Sequence, residues 1–280
     1  MESIKRLLEI KEKGPESVTP EDIPLALGIT CQFINSNPAA KELVNDDMSM
    51  IIEIKGADKY YLTIIDGKCE FGKGGLDSAN FTLTTDLITI TKMLLGQIDA
   101  TVAYFSGDFE AEGELYYMIR YLEILDLAFK MLDIISSEER VVVLKTEDMK
   151  NLFDVYARGA STVDPSHITL FFKVFATFVN YNPEAQDLIS GEDLKIQMSI
   201  INHGDYLIRI VDSKMSWSEE TISDFTVKLE MALETSAEIL LDGDAVSAFM
   251  AGKIKVMGEL AKALFFQELN ELFLEYLNLL

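Results

Sequence analysis

The strongest constraint on how this chain folds is an internal duplication. The stretch FINSNPAAKEL, residues 33–43, returns as FVNYNPEAQDL, residues 178–188, at a distance of 145 residues. At that offset residues 2–43 align with 147–188 without a gap, and 14 of the 42 positions are identical. Average composition predicts only about one identity in sixteen. A period this long exceeds that of a solenoid unit, so the sequence predicts two copies of one whole domain.

Later matches extend the duplication over the rest of the chain. The matching pieces are IIDGK at 64–68 with IVDSK at 210–214, and NFTL at 80–83 with DFTV at 224–227. We therefore predict a first domain over residues 1–140 and a second over residues 146–280, with a linker at about 136–145.

Composition and charge are those of an acidic globular chain. Of its 280 residues, 49% are hydrophobic and 25% are charged, and the net charge is −23. The acidity is shared, with −11 in residues 1–145 and −12 in residues 146–280. A surface this negative repels phosphate backbones, so we expect no nucleic-acid partner. Anionic membrane surfaces are disfavoured for the same reason.

Cysteine usage and the terminal segments predict a cytoplasmic protein. Cys31 and Cys69 belong to no CxxC pair, so neither a disulfide framework nor a zinc site is indicated. The N-terminal MESIKRLLEIKEKG predicts a charged amphipathic helix rather than a signal peptide. No apolar run approaches the length of a membrane span, so we expect no stable membrane insertion.

Each copy has the predicted element order ααα-ββββ-αα-β-α. In the first copy, helices are predicted over residues 2–13 and up to Ile34, the second capped by Thr19. Another short helix can start at Pro38. Period-two alternation predicts strands, with a hairpin turn at Asp66-Gly67. The fold class is α+β, with a five-stranded, mainly antiparallel sheet covered by helices in each copy.

The order of these motifs resembles that of the sterol carrier protein type 2 (SCP-2) domain family. A hairpin ending in DGK is followed by the strand FTLT, the stretch LLGQID, a short helix and the glycine-bounded strand GDFEAEG. The resemblance covers roughly residues 20–135 and 165–280. It implies an apolar tunnel between sheet and helices, binding of lipids, and no catalytic activity by itself. The second copy departs at Ser213 and at LLDGDA, so its ligand could differ or its site could be degenerate.

Apolar side chains on the predicted inner face are the candidate ligand-binding residues. In the first copy they are Phe33, Met50, Ile52, Leu62, Ile64, Phe81, Leu83, Met93, Leu94 and Phe105. In the second copy they are Phe175, Phe178, Met198, Ile208, Ile210, Phe225, Val227, Leu240, Phe249 and Met250. An ordinary core explains any one of them equally well. The abundance of Met and Phe suits a cavity that adapts to apolar ligands.

The sequence contains no recognisable reactive constellation. Its two histidines, His167 and His203, have no counterpart in the first copy, and HExxH, GxSxG and phosphate-loop motifs are missing. Glu110 and Glu112 lie on one face of a strand, but the second copy replaces them with other residue types. We therefore predict that the chain is not an enzyme and uses neither a metal nor a cofactor.

Three functions fit these observations. The leading hypothesis is the non-catalytic binding and transfer of fatty acids, acyl-CoA, or sterol- or isoprenoid-like molecules in apolar tunnels. The second is a protein-interaction module whose tunnel is filled or degenerate. The third is an accessory module that presents an apolar substrate to a partner enzyme of lipid metabolism.

Overall fold

A computed structural model describes residues 2–38, 40, 47–131 and 141–277. The chain divides into two compact units, Met1–Thr146 and Glu147–Leu280. The predicted linker lies partly outside the described residues, and the boundaries predicted from the sequence stay predictions.

The first unit contains the predicted elements in the predicted order. Its helices are α1 (Glu2–Lys13), α2 (Asp22–Ser36), α3 (Leu87–Leu94), α4 (Ala100–Phe105) and α5 (Leu115–Met131). Its strands are β1 (Met48–Ile54), β2 (Lys59–Ile65), β3 (Lys68–Lys73), β4 (Phe81–Thr85) and β5 (Phe109–Gly113). A 3-10 turn at Pro15–Ser17 joins α1 to α2. The helix predicted after Pro38 lies largely outside the described residues.

The second unit repeats the arrangement with all three leading helices described. Its helices are α6 (Thr146–Arg158), α7 (Pro165–Tyr181), α8 (Pro183–Ile189), α9 (Leu233–Asp242), α10 (Ala245–Met250) and α11 (Leu260–Tyr276). Its strands are β6 (Leu194–Ile200), β7 (Gly204–Val211), β8 (Lys214–Ser218), β9 (Val227–Met231) and β10 (Ile254–Gly258). Across the described ranges of both units, no helix is long and apolar enough to span a bilayer.

Each unit has one five-stranded sheet with the same topology. The strand orders are β3-β2-β1-β4-β5 and β8-β7-β6-β9-β10. The central pairs β1–β4 and β6–β9 are parallel, and all other neighbours are antiparallel. The predicted fold class, α+β with a mainly antiparallel sheet, is confirmed.

The register of the parallel pairs corrects one sequence alignment. Phe81 on β4 lies opposite Met50, whereas on β9 the residue opposite Ile196 is Val227. The alignment of NFTL with DFTV is therefore wrong by two residues. Phe225 precedes β9 and is only half-buried, so it is not the counterpart of Phe81. The similarity of four consecutive residues suggested the alignment, but strand pairing determines which residues are equivalent.

The repeated phrase FxNxNP has a structural role in both units. Asn35 on α2 accepts a hydrogen bond from the Cys69 amide at 2.8 Å and donates to the Cys69 carbonyl at 2.9 Å. Asn180 on α7 makes the same pair of bonds with Met215, at 2.8 and 2.9 Å. The two asparagines satisfy backbone groups of the edge strands β3 and β8, which would otherwise be unpaired. Asn182 then caps α8 by accepting from the Ala185 amide at 2.9 Å.

A buried carboxylate holds the start of α2, and the cap predicted at Thr19 is wrong. The helix begins at Asp22, whose carboxylate accepts a hydrogen bond from the Thr19 amide at 2.8 Å. The guanidinium of Arg6 donates two further bonds to this carboxylate, both 2.8 Å long. These bonds from Arg6 hold the pKa of Asp22 below its ordinary value. The ion pair ties α1 to α2.

Acid is expected to loosen α1. Because the folded-state pKa of Asp22 is lowered, its contribution to stability is complete above the unfolded-state value of about 3.9 and is lost as the pH falls through the folded-state value. Amide protection factors, corrected for intrinsic exchange, should therefore drop in α1 on acidification. Arg6→Met should lower them at neutral pH and remove this acid dependence. The Arg6→Met chain is the control, because α6 has an ion pair of its own between Asp148 and Lys173. An acid-induced loss in α1 of the same size in Arg6→Met as in wild type would contradict the assignment.

Candidate ligand-binding cavity

The second unit encloses an apolar cavity of about 220 Å³ between its sheet and its last helices. The strand residues that line it are Met198, Leu229, Met231, Ile254 and Val256. The helix residues that line it are Ile239, Ala245, Val246, Phe249, Leu260, Ala263, Leu264, Phe266, Gln267 and Asn270. All of these side chains except the last two are hydrophobic.

Regular periodicity explains why these residues share one wall. Leu229 and Met231 are two residues apart on β9, so both point to the same face of the sheet. On α11, Ala263, Leu264 and Gln267 follow Leu260 at distances of three, four and seven residues, which places them on one face of the helix. The sheet and α11 therefore form opposite walls of the cavity.

The equivalent space in the first unit is nearly filled. It measures about 30 Å³, roughly enough for one water molecule. Its lining residues are Met50, Phe81, Leu83, Ile90, Met93, Leu94, Ala100, Phe109, Met118, Tyr121, Leu122 and Leu125.

Larger side chains account for much of the difference in volume. Helices α5 and α11 have the same length of 17 residues, and β5 and β10 pair in the same register with their neighbours, so the two cavities can be compared position by position. Two lining positions carry more bulk in the first unit: Phe109 against Ile254, and Met118 against Ala263. Phe81 also lines the first cavity, whereas Val227 at the equivalent position does not line the second. The backbone frame is shared, and side-chain size decides how much space is left.

Helix α10 leaves apolar side chains at the mouth of the cavity. The exposed fractions of Val246, Phe249 and Met250 are 44%, 39% and 79%. At the same positions on α4, the exposed fractions of Thr101, Tyr104 and Phe105 are 8%, 8% and 0%. Leu260 and Leu264 of α11 are also exposed. The second unit therefore has an apolar rim made of Val246, Phe249, Met250, Leu260 and Leu264.

In the first unit a following segment of chain holds the start of α4. The Oδ1 atom of Asp99 caps the helix by accepting from the Thr101 and Val102 amides at 3.0 and 3.1 Å. Its Oδ2 atom accepts from the Val143 and Leu144 amides at 2.9 and 3.3 Å. The described end of the predicted linker therefore packs on the first unit, and it contains no strand.

The cavities bring together some of the residues predicted from the sequence. Those that line a cavity are Met50, Phe81, Leu83, Met93 and Leu94 in the first unit, and Met198 and Phe249 in the second. Those that are buried elsewhere in the cores are Phe33, Ile52, Leu62, Ile64, Phe105, Phe175, Phe178, Ile208, Ile210, Val227 and Leu240. Phe225 and Met250 line neither cavity. Whether any of them touches a ligand stays a prediction.

The sequence prediction missed the contribution of α11. Its lining residues supply an entire wall, yet none of them is among the candidates. The helical spacing of Leu260, Ala263, Leu264 and Gln267 is a signal that could have found this face. A comparison of Ala263 with Met118 could also have indicated extra space in the second copy.

Most of the nucleophilic and basic groups considered in the sequence have structural roles. The thiols of Cys31 and Cys69 are buried, with their Sγ atoms 2.7 Å apart. The hydrogen bond to Cys31 and burial raise the pKa of the Cys69 thiol, which keeps it protonated at neutral pH. His167 accepts from the Asp164 amide at 3.0 Å in a capping box, and His203 is exposed in a turn. Within the described ranges, no group of three or more His, Cys, Asp or Glu is suited to hold a metal. That the chain is not an enzyme stays a prediction.

The difference between α10 and α4 predicts a difference in thiol labelling. Val246→Cys should react with a thiol reagent at least about tenfold faster than Thr101→Cys, because only the former position is open to solvent. Both changes are small, and the native thiols are buried and supply a slow baseline. Labelling rates of the two full-length variants test this. Equal rates would mean that α10 is as well covered as α4.

One protein family and several solved structures match part of this chain. Residues 34–126 match the model of the SCP-2 sterol transfer family. No curated protein matches the chain. Among solved structures, the UbiJ-SCP2 ubiquinone synthesis protein is 20% identical, covering 40% of this chain and 96% of its own, with a TM-score of 0.33. A sterol carrier protein 2 crystal structure is 18% identical over 37% of this chain and 92% of its own, with a TM-score of 0.32. A possible sterol carrier protein from Thermus thermophilus is 19% identical over 44% and 93%, with a TM-score of 0.33.

The family match confirms the resemblance seen in the sequence. It falls within the first unit. The second unit repeats the element order, strand order and register of the first. The chain is therefore a tandem of two SCP-2-like domains.

Proposed function

We propose that the second unit binds a lipid or another hydrophobic small molecule in its cavity, and that the first unit keeps the fold without the binding space. The observation that carries this proposal is the contrast between about 220 Å³ and about 30 Å³ at equivalent places in the two units. The match of the first unit to a sterol-transfer family supports a lipid as the ligand class.

The lining of the cavity favours an apolar ligand. An apolar space does not hold water well, and an apolar group that enters it leaves water at a gain of about 0.8 kcal/mol per CH₂. The exposed rim, which includes Val246, Phe249 and Leu264, continues the apolar surface outward. A chain longer than the cavity lies along this rim, and a ligand enters and leaves there without unfolding the sheet. Such exchange is what a carrier needs.

The first unit fits the second hypothesis better. Its filled interior supports an interaction or substrate-presenting role, in which it provides a folded scaffold on the same chain as the binding unit. A partner enzyme of lipid metabolism and a cytoplasmic location are both compatible with this arrangement and stay predictions.

Filling the cavity with the residues of the first unit tests the proposal. Ile254→Phe combined with Ala263→Met should weaken binding of palmitic acid to the full-length chain by about tenfold or more, since bulk replaces the ligand volume. Native mass spectrometry and displacement of a fluorescent fatty acid measure the stoichiometry and the affinity. Wild-type protein should hold one ligand per chain.

The reciprocal variant is the matched control. Phe109→Ile combined with Met118→Ala opens the first unit and should leave the affinity of the second unit unchanged. Amide exchange of β6 checks that the filled variant is folded. Undiminished binding by the folded, filled variant, or no binding of any hydrophobic probe by the wild type at micromolar concentration, would refute the proposal.

A further inference from the structure

Two amide side chains interrupt the apolar lining of the second-unit cavity. Gln267 and Asn270 are one turn apart on α11, and both line the cavity. The Gln267 Nε2 group donates to Glu271 Oε1 at 2.6 Å, and the Asn270 Nδ2 group donates to the Ile239 carbonyl at 2.9 Å. Within the described residues, Gln267 Oε1 and Asn270 Oδ1 are closed to solvent and accept no hydrogen bond. Each side chain thus uses a donor and leaves its acceptor unpaired.

The partners determine which way each amide faces. A carboxylate and a backbone carbonyl only accept hydrogen bonds, so the NH₂ group of each amide has to face them. Turning either amide over would place two acceptors against each other. Asn270 is only 1% exposed, so its oxygen cannot reach bulk water. The unpaired oxygens therefore follow from the surroundings of the two amides.

The first unit has leucine at both positions. Helices α5 and α11 correspond residue by residue, which places Leu122 against Gln267 and Leu125 against Asn270. These leucines pack in a cavity that is nearly filled. A buried acceptor without a donor destabilises a core, and an apolar side chain of similar size does not. The amide pair thus belongs to the unit that has space for a ligand and is missing from the unit that does not.

We infer, on the basis of the proposed function, that the ligand of the second unit carries a hydroxyl group that enters the cavity first and donates to Gln267 Oε1 or Asn270 Oδ1. The terminal torsions of Gln and Asn are broad, so a small rotation presents either oxygen to the ligand. The ligand class is a long-chain alcohol. An ionised carboxylate offers only acceptors to these oxygens, and the hydrocarbon end of an acyl-CoA leaves them unpaired.

A pair of ligands that differ only in the donor tests the inference in the full-length chain. The probes are 1-decanol and 1-methoxynonane, which have the same number of heavy atoms, and only the alcohol can donate. Calorimetry gives both dissociation constants. The alcohol should bind about tenfold more tightly than the ether. In the variant Gln267→Leu with Asn270→Leu, this ratio should fall toward one while the ether still binds.

The outcomes separate this inference from the proposed function. If neither these probes nor palmitic acid binds, the proposed function fails. If palmitic acid binds and the alcohol does not, only the hydroxyl assignment is overturned. The hydroxyl assignment is overturned if both probes bind wild type equally, or if the leucine variant keeps the preference for the alcohol. In either case the two amide oxygens do not accept a hydrogen bond from the ligand. The variant should also unfold at a temperature no lower than wild type, since it removes two unpaired acceptors. If the double variant does not fold, the same affinity ratio is measured for Gln267→Leu alone. Glu271, the partner of Gln267, is exposed and stays solvated in that variant.

Discussion

The parallel pairing of two central strands, β1 with β4 and β6 with β9, determines what each unit can enclose. Side chains along a strand alternate between faces, so the register of this pair selects which of them meet the helices. Glycines at the ends of β5 and β10 allow these strands to approach β4 and β9 closely. A side chain at Gly113 or Gly258 would collide with the carbonyl oxygen of Asn80 or Thr226. Once the register is held, one face of each sheet is apolar and has to be covered.

The two units cover that face in different ways. In the first, α4 buries Tyr104 and Phe105, and larger side chains fill the space below. In the second, Ala263 and Ile254 leave a void, and α10 exposes Phe249. A filled core gains packing contacts, whereas a void forgoes them, so an unfilled core is consistent with a binding function that offsets the lost stability.

Much of the fold could be predicted because it depends on local signals. The helix over residues 2–13 ends where Gly14-Pro15 predicts, and the Asp66-Gly67 turn lies between β2 and β3. The errors lie where distant residues override a local pattern. Thr19 has the sequence of a cap, but the helix begins at Asp22, whose carboxylate pairs with Arg6 across sixteen residues. DFTV resembles NFTL, but strand pairing puts Val227 in the place of Phe81.

The sequence by itself determined the duplication, the element order and the apolar faces, because these follow from repeats and periodicities that are written along the chain. Only the tertiary structure decided that one interior is open and the other filled. That outcome depends on the summed volumes of side chains from β4, β5 and α5, or from β9, β10 and α11, which meet only after folding. The unpaired oxygens of Gln267 and Asn270 are a property of the same kind. A polar residue on a helix becomes an unpaired acceptor only when neighbours distant in sequence take its donor and exclude water.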